Sequence, residues 1–478
     1  MAGLPEWVAR HKGKGVAIER RGDRYYATRV TSVWDPAKKR ARKKTLEYLG
    51  RVTQEGIVPP RGKRPPRYGG ALEAGNVAFL DRFTGALKPA LVECFPRDWQ
   101  NLLAAAVLRL LYLEPFSRFR VRYETSLAKR RWPEASMGSD APTRLLPRVG
   151  AQWGAQRDAF RRLAADERHM AVDLSHVFSE SQGIPWLEYG HNGDGAWRPQ
   201  LQALPCWGTT THRPGFLQLL PGATHSAQTL AHRVREAPFQ DAIAVVGKGF
   251  WSPDNVEAFE DAGVHYAMAP RRDLPVANPQ PHNRYKDHFL HRGRAQWWRQ
   301  DDWNGRAVCH YLDKRIADDE ESAYLRRADA ADTPHARRKV LAAHRKARHG
   351  LGTLSVLTDT GLDAAQTYAL YKERREVEHA YDALQNALGA DVTWMRTREA
   401  MVGYHFVLFL ALHLYSQVLD HLKRKDLLAT YSVRDVLTYL SKVMVVEVDG
   451  EDVPLPVTRQ TQRVLDNLEI PITNNSGL

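Results

Sequence analysis

The chain has 478 residues, too many for one ordinary domain, so length favours two to four packed units with at least one sizeable core. Hydrophobic residues make up 43% and charged residues 26%, which excludes disordered and fibrous compositions. The formal net charge is +14, and most of it sits at one end: residues 1–70 hold 18 Lys and Arg against 6 Asp and Glu. Such concentration points to a polyanionic partner, most commonly nucleic acid, because each neutralised phosphate releases counterions. A solvated basic tail is the alternative. Cys94, Cys206 and Cys309 form no CxxC pair, so no disulfide framework or cysteine-rich zinc site is indicated and a reducing cytoplasm is expected. No signal core opens the sequence, and no run approaches the roughly 18 uninterrupted apolar residues of a membrane helix, so no membrane partner is expected. The nearest candidate, 406–414, is short and interrupted by His413.

In chain order, YYATRVTSVW and KKTLEYLGRV alternate as strands around the turn DPAKK, a small β-rich module within residues 1–58. Its basic residues include Lys38, Lys39, Arg40, Arg42, Lys43 and Lys44. They are interleaved with Tyr25, Tyr26 and Trp34, which favours a folded DNA-binding surface over a tail. PPRGKRPPRYGG, residues 59–70, cannot continue a helix or strand and reads as a linker. Residues 71–165 carry helical periodicity, best at 99–113, and form a second, helical DNA-binding module.

From 166 the pattern becomes that of a mixed α/β layer domain. HMAVDLSHVF, LQALPCWGT and FLQLLPGA read as strands, and SAQTLAHRVREA as a helix capped by Ser226. DAIAVVG is a strand, Ser252 and Pro253 open a helix, and HYAMAP is a fifth strand. Residues 166–270 thus supply a mixed five-stranded sheet with flanking helices. Residues 271–352 interrupt it with a β-rich insertion: a hairpin, AQWWRQDDW and RAVCHYLD, turns at Asn304 and Gly305, and a charged helical stretch follows over 315–348. LSVLTDT, a long helix at 363–388 and an apolar helix at 400–422 complete the core as its second part, 353–425, with 426–478 left as a C-terminal segment.

Few residues in this framework carry chemistry. Asp173 stands in the apolar strand MAVDL, where a carboxylate is costly unless a cation or donors satisfy it. A backbone-bonded aspartate explains it equally well. Tyr371, Arg374, Glu378 and Gln385 share one face of the long helix, an arrangement suited to phosphate and metal handling, or simply to an exposed face held by i,i+4 ion pairs. Trp297 and Trp298 must point to opposite faces of their strand, so one of them, taken as Trp298, is available to stack on an unpaired base; core packing is the rival reading. His169, His176 and His225 have no ligand spacing and read as structural.

The phrases VTSVWDPAKKRARKKTLEYLGRVT, DLSHVFSE, GHNGDGAWRPQL, LLPGATHS, VVGKGFWSPDNVEAFEDAGVHYAM and YKERREVEHAYDALQNALGADVTWMRTREAMVGYHFVLFLALHLY resemble bacterial insertion-sequence transposases of the DDE type. The resemblance runs best from about 170 to 420, with a further match at 28–56. It implies an RNase H-like core split by a β-rich insertion, with Asp173 and Glu378 as catalytic carboxylates holding Mg²⁺ (or Mn²⁺). It further implies that Tyr371 and Arg374 contact DNA, that the partners are double-stranded transposon ends and target DNA, and that a homodimer forms in the DNA complex. A bacterial cytoplasm, in association with the nucleoid, is the expected location.

Two positions depart from the family pattern. Gly247, just before Lys248 and Gly249, stands where the family has its second catalytic aspartate, and Gln385 stands where it has a lysine. Two-metal phosphoryl transfer holds its ions roughly 3.5 to 4 Å apart, and Mg²⁺ is usually bound by only one or two carboxylates, so one lost carboxylate is a large share. Asp254 opens the next helix, and Asp241 lies about 20 Å away at the far end of the same strand, so neither substitutes. Two readings follow: a transposase that binds terminal inverted repeats and catalyses metal-dependent cleavage and strand transfer, with catalysis in doubt at Gly247, or a catalytically inactive, transposase-derived DNA-binding protein. A ribonuclease on the same fold is a third and weaker one.

Overall fold

The structure, a computed structural model, describes residues 4–35, 39–60, 68–167, 169–172, 175–179, 181, 184–191, 197–222, 243–382, 392–393 and 395–470. Lys38, Asp173, Gln385, the helix expected at 226–237 and most of the expected linker lie outside the described residues, and Glu378 is described only as a helical backbone position. The chain divides into two compact units, Met1–Gly70 with Val446–Val453, and Ala71–Val445 with Pro454–Leu478.

In the first unit, β1 (Val16–Arg21), β2 (Arg24–Asp35), β3 (Arg40–Thr53) and β4 (Gly56–Val58) form an antiparallel sheet in sequential order. Alternation places Tyr25, Ala27 and Val52 in a small core closed by Val8. The hairpin expected around DPAKK is present, with strands longer than its neighbours: β1 pairs with β2 as far as Arg29, the Val30 N–H still donates to the Gly15 carbonyl at 2.8 Å, and from Thr31↔Lys44 to Asp35↔Arg40 the two strands pair with each other alone among the described residues.

β5 (Tyr68–Glu73) spans the division at Gly70, and in the second unit seven α-helices follow it between Gly75 and Leu163. The strands that follow are β6 (His169–Val172), β7 (Ser175–Ser179), β8 (Glu188–His191), β9 (Trp197–Gly208), β10 (Pro214–Leu220), β11 (Ile243–Val246) and β12 (Tyr266–Met268). β9 is antiparallel to β10 on one side and to β6 on the other, while β6–β11 and β11–β12 are parallel, which gives the order β10-β9-β6-β11-β12. β6, β11 and β12 are buried almost throughout, as parallel strands covered on both faces must be.

The sheet does not end at five strands. β13 (Asp287–His291), β14 (Arg294–Trp303) and β15 (Arg306–Leu312) pair in sequence, and β16 (Thr353–Thr358) joins β15 to β12 through antiparallel ladders on both its edges. With β17 (Val392–Thr393) beside β7, the described strands make one twelve-stranded sheet. The insertion therefore extends the core sheet, because three-residue β12 leaves an edge that β16 satisfies. Its hairpin turns at Asn304 and Gly305, both with positive φ as a type I′ turn requires. The charged stretch after it is two helices, Lys314–Asp329 and Pro334–Ala347, broken where Thr333 caps the second. β18 (Met444–Val448) and β19 (Glu451–Pro454) lie near the end of the chain.

The helix Arg398–Arg424 has the length and composition to cross a membrane, yet 83% of its most apolar window is buried within this chain. It packs against the helices Ala141–Ala151 and Trp99–Leu111 and against β10, fusing the helical region and the α/β region into one apolar core. Glycines permit the closest crossing. A Cβ on Gly403 would lie 2.0 Å from the Leu146 carbonyl oxygen, and one on Gly150 would lie 1.8 Å from that of Glu399.

Two expectations follow. Gly403→Ala forces the helices apart and is expected to destabilise the second unit by about 1–3 kcal/mol, read as a lowered denaturant midpoint. Burial pushes His405 down to about 4 and His413 down to about 3, so both are neutral in the fold while the unfolded chain protonates them near pH 6.5. Their contribution is complete above pH 6.5 and falls as pH drops from there toward 4, by up to about 1.4 kcal/mol per unit for each histidine. The slope of unfolding midpoint against pH over that window should flatten in His405→Leu; an unchanged slope would contradict the assignment.

Candidate functional site

The first two strands of the core fix the site's floor. β6 and β11 run parallel in the register Val172↔Val246, so the chain reaches the same level immediately before positions 173 and 247. Asp173 itself lies outside the described residues. Gly247 is buried and has an ordinary extended backbone, φ −76° and ψ 169°, so nothing in its conformation demands glycine.

The loop after it is tightly tied. Lys248–Phe250 makes one 3₁₀ turn in which the Phe250 N–H donates to the Gly247 carbonyl at 3.1 Å. Ser252 Oγ accepts from Asn255 N–H at 3.1 Å and caps the helix Pro253–Asp261, while the Asn255 amide donates back to the Phe250 carbonyl. The cap and the first-turn proline expected at Ser252 and Pro253 are both there.

The roof is the helix Ala364–Asp382, which lies across β6, β9, β11, β12 and β16. Tyr371 is buried against the core and Arg374 is half-buried. Arg374 reaches down to Gly247: a Cβ built on the glycine would be 2.7 Å from its Cζ and 2.8 Å from Nη2. Glu378 lies one helical turn further along, about 6 Å by axial rise. The structure thus brings the helix bearing Tyr371, Arg374 and Glu378 over the strand end of Gly247.

Charges of both signs surround Lys248. Lys248 is exposed, yet partial desolvation, then Arg272 and to a smaller extent Arg374, hold its ammonium below the usual lysine range, against an opposing pull from Glu320. Arg272 is engaged, pairing with Glu320 at 2.9 Å and donating to the Thr353 carbonyl at 2.7 Å. Among the described residues no three carboxylate, histidine or cysteine side chains gather as a metal cluster.

Residues 162–414, more than half of the chain, match the transposase DDE domain family. The chain belongs to that family. No curated protein matches it. Among solved structures, the piggyBac transposase synaptic complex with hairpin DNA is similar at 11% identity and a TM-score of 0.36, over 72% of this chain and 70% of that one.

The other residues singled out in this DDE-domain chain lie elsewhere. Trp297 and Trp298 do take opposite faces of β14. Trp297 joins the small cluster around Tyr285 and Leu312, with the Lys314 ammonium 4.2 Å from its ring centre, and Trp298 is half-buried against the main core. Trp303 packs 5.8 Å from Trp251. Lys39 sits at the ribbon turn with φ 43°, and Arg40, Arg42, Lys43 and Lys44 follow it, all exposed along β3. Sequence reading missed the contact between Arg374 and Gly247. Helical spacing gives the face Arg374 occupies, and only the packed sheet shows what that face meets.

Proposed function

We infer that this chain is a DNA-binding member of the DDE transposase family in which metal-dependent strand cleavage is disabled. One observation carries the reading: the Arg374 guanidinium fills the space over the Gly247 α-carbon, where the family pattern calls for a carboxylate. A divalent ion needs oxygen ligands, and an arginine resting on a glycine offers none. Magnesium and manganese, which the family relationship implies, do not fit the residues described at this position. Exposed Lys248, beside that strand end, suits a phosphate of the DNA backbone instead.

An RNase H-like core is part of the same proposal. The strand order β10-β9-β6-β11-β12, with its antiparallel and parallel pairings, supports that fold, as does a helix laid across β6 and β11. In this reading Asp173 and Glu378 serve as the first and third carboxylates and Gln385 contacts DNA, while the buried Tyr371 braces the helix against the core rather than meeting DNA as the resemblance implied. Trp298 is proposed to stack on a base only if the hairpin loosens from the core. Two copies pair the two ends of one element, in a bacterial cytoplasm beside the nucleoid.

The test compares the unmodified chain with Gly247→Asp on duplexes carrying the terminal repeats of the encoding element, with and without Mg²⁺. The space favours the substitution, since the clashing group is the far end of a flexible side chain that can swing to pair with the new carboxylate. Both proteins should bind the ends, and Gly247→Asp should nick them at least about a hundredfold faster in Mg²⁺, the scale of a metal worth several kcal/mol. Efficient Mg²⁺-dependent nicking by the unmodified chain would overturn the inactive reading, and failure of both to bind duplex would overturn DNA recognition.

A further inference from the structure

The end of the β2–β3 hairpin has no structural task within its own sheet. Over the five pairs from Thr31↔Lys44 to Asp35↔Arg40 the strands have no third partner among the described residues, and residues 31–34 and 40–45 are exposed on both faces. Trp34 is 63% exposed and Val33 47%. A free two-stranded ribbon is marginal in water and presents unpaired edges, so its length calls for a partner.

Its charge identifies that partner. Residues opposite one another in an antiparallel pair share a face. Thr31 with Lys44, Val33 with Arg42, and Asp35 with Arg40 form one face with three cations and one carboxylate; Ser32 with Lys43, and Trp34 with Ala41, form the other with one cation. None of the four cations has an ion-pair partner among the described residues, whereas Arg29, just below, is paired with Glu47 at 3.6 Å. Two bulges, between Ala27 and Thr28 and between Arg29 and Val30, stand at the ribbon's base. Bulges increase the right-handed twist of a strand pair.

The dimensions agree with B-form DNA. Two strands about 4.8 Å apart, with their side chains, suit a major groove about 12 Å wide, which admits a two-stranded ribbon. Five residues span about 17 Å, and successive cations on one face are about 6.8 Å apart, close to two base-pair steps. A-form RNA has a deep, narrow major groove that excludes such a ribbon.

We propose that this ribbon enters the major groove of duplex DNA with its Arg40, Arg42 and Lys44 face toward the duplex. The assignment rests on the DNA-binding reading above and adds to it which element, which face and which groove. Arg40 and Arg42 can each reach a phosphate or the O6 and N7 edge of a guanine, and Lys44 adds a third point charge nearer the base of the ribbon.

The test uses the full chain and fluorescence anisotropy of a labelled short DNA duplex over a salt series. The triple variant Arg40→Ala, Arg42→Ala, Lys44→Ala should lower the slope of log K against log salt by about 2–3, at about 0.9 per lost phosphate contact. It should also weaken binding at least tenfold at low salt. Lys43→Ala, on the other face, should lower the slope by about 1 at most. DNA with glucosylated cytosines, which fill the major groove, should bind at least tenfold more weakly, while netropsin, which fills the minor groove, should change little. A triple variant that binds like the unmodified chain, a Lys43→Ala effect equal to it, a stronger effect of netropsin than of glucosylation, or equal affinity for an RNA duplex through the same residues would each overturn the ribbon assignment. Those results leave DNA binding intact, whereas loss of duplex binding by the unmodified chain removes both. All four positions are exposed, and unchanged circular dichroism of the variants separates lost contacts from lost folding.

Discussion

A 27-residue helix that is apolar nearly all round has to be covered nearly all round, and the second unit is organised by that requirement. The helix Arg398–Arg424 takes its cover from the helices Ala141–Ala151 and Trp99–Leu111 and from β10. One continuous core results where the sequence read as a helical module followed by a sheet domain. Gly150 and Gly403 make the tightest point of contact, backbone against backbone. Buried His405 and His413 are compatible with that core because both remain neutral at ordinary pH; His405 donates to the Met401 carbonyl at 2.9 Å and His413 meets the Gln417 amide at 3.1 Å.

At the strand ends the decisive contact joins a residue that lacks a side chain to one with a long cationic one. A glycine at 247 leaves room for Arg374 to lie across the end of β11, and the arginine brings positive charge to a position where the family pattern has negative. The two features go together: a guanidinium could not rest on the α-carbon of a residue with a Cβ. The identity of position 247 thus decides where the Arg374 side chain can lie.

Much of this fold was legible in the sequence where a signal is local. The alternation around DPAKK marked the long β2–β3 hairpin, Asn304–Gly305 marked the turn between β14 and β15 with two positive φ angles, and Ser252–Pro253 marked a helix start that the structure reproduces. What was not legible depends on tertiary pairing. β12 has three residues, too few to display a period, and its neighbour β16 arrives about ninety residues later, so the merging of insertion and core could not be read from either segment. The break in the charged stretch did have a local signal, Thr333 followed by Pro334, which an otherwise uniform charge pattern masked. Of the site residues, sequence spacing put Tyr371, Arg374 and Glu378 on one face, and the packed helix delivers that face to the strand end at Gly247.

The hydrogen-bonded join between β16 and its two neighbours governs how the molecule can move. β16 shares ladders with β12 on one edge and β15 on the other, so swinging the insertion as a hinged flap would require tearing main-chain bonds out of a buried sheet. Displacement there is restricted to twisting of the whole sheet. Any force applied to the Trp297–Trp303 hairpin by a bound partner would travel through β15, β16 and β12 to β11, the strand that ends at Gly247. The hairpin and the corner at Gly247 are in that sense two ends of one lever.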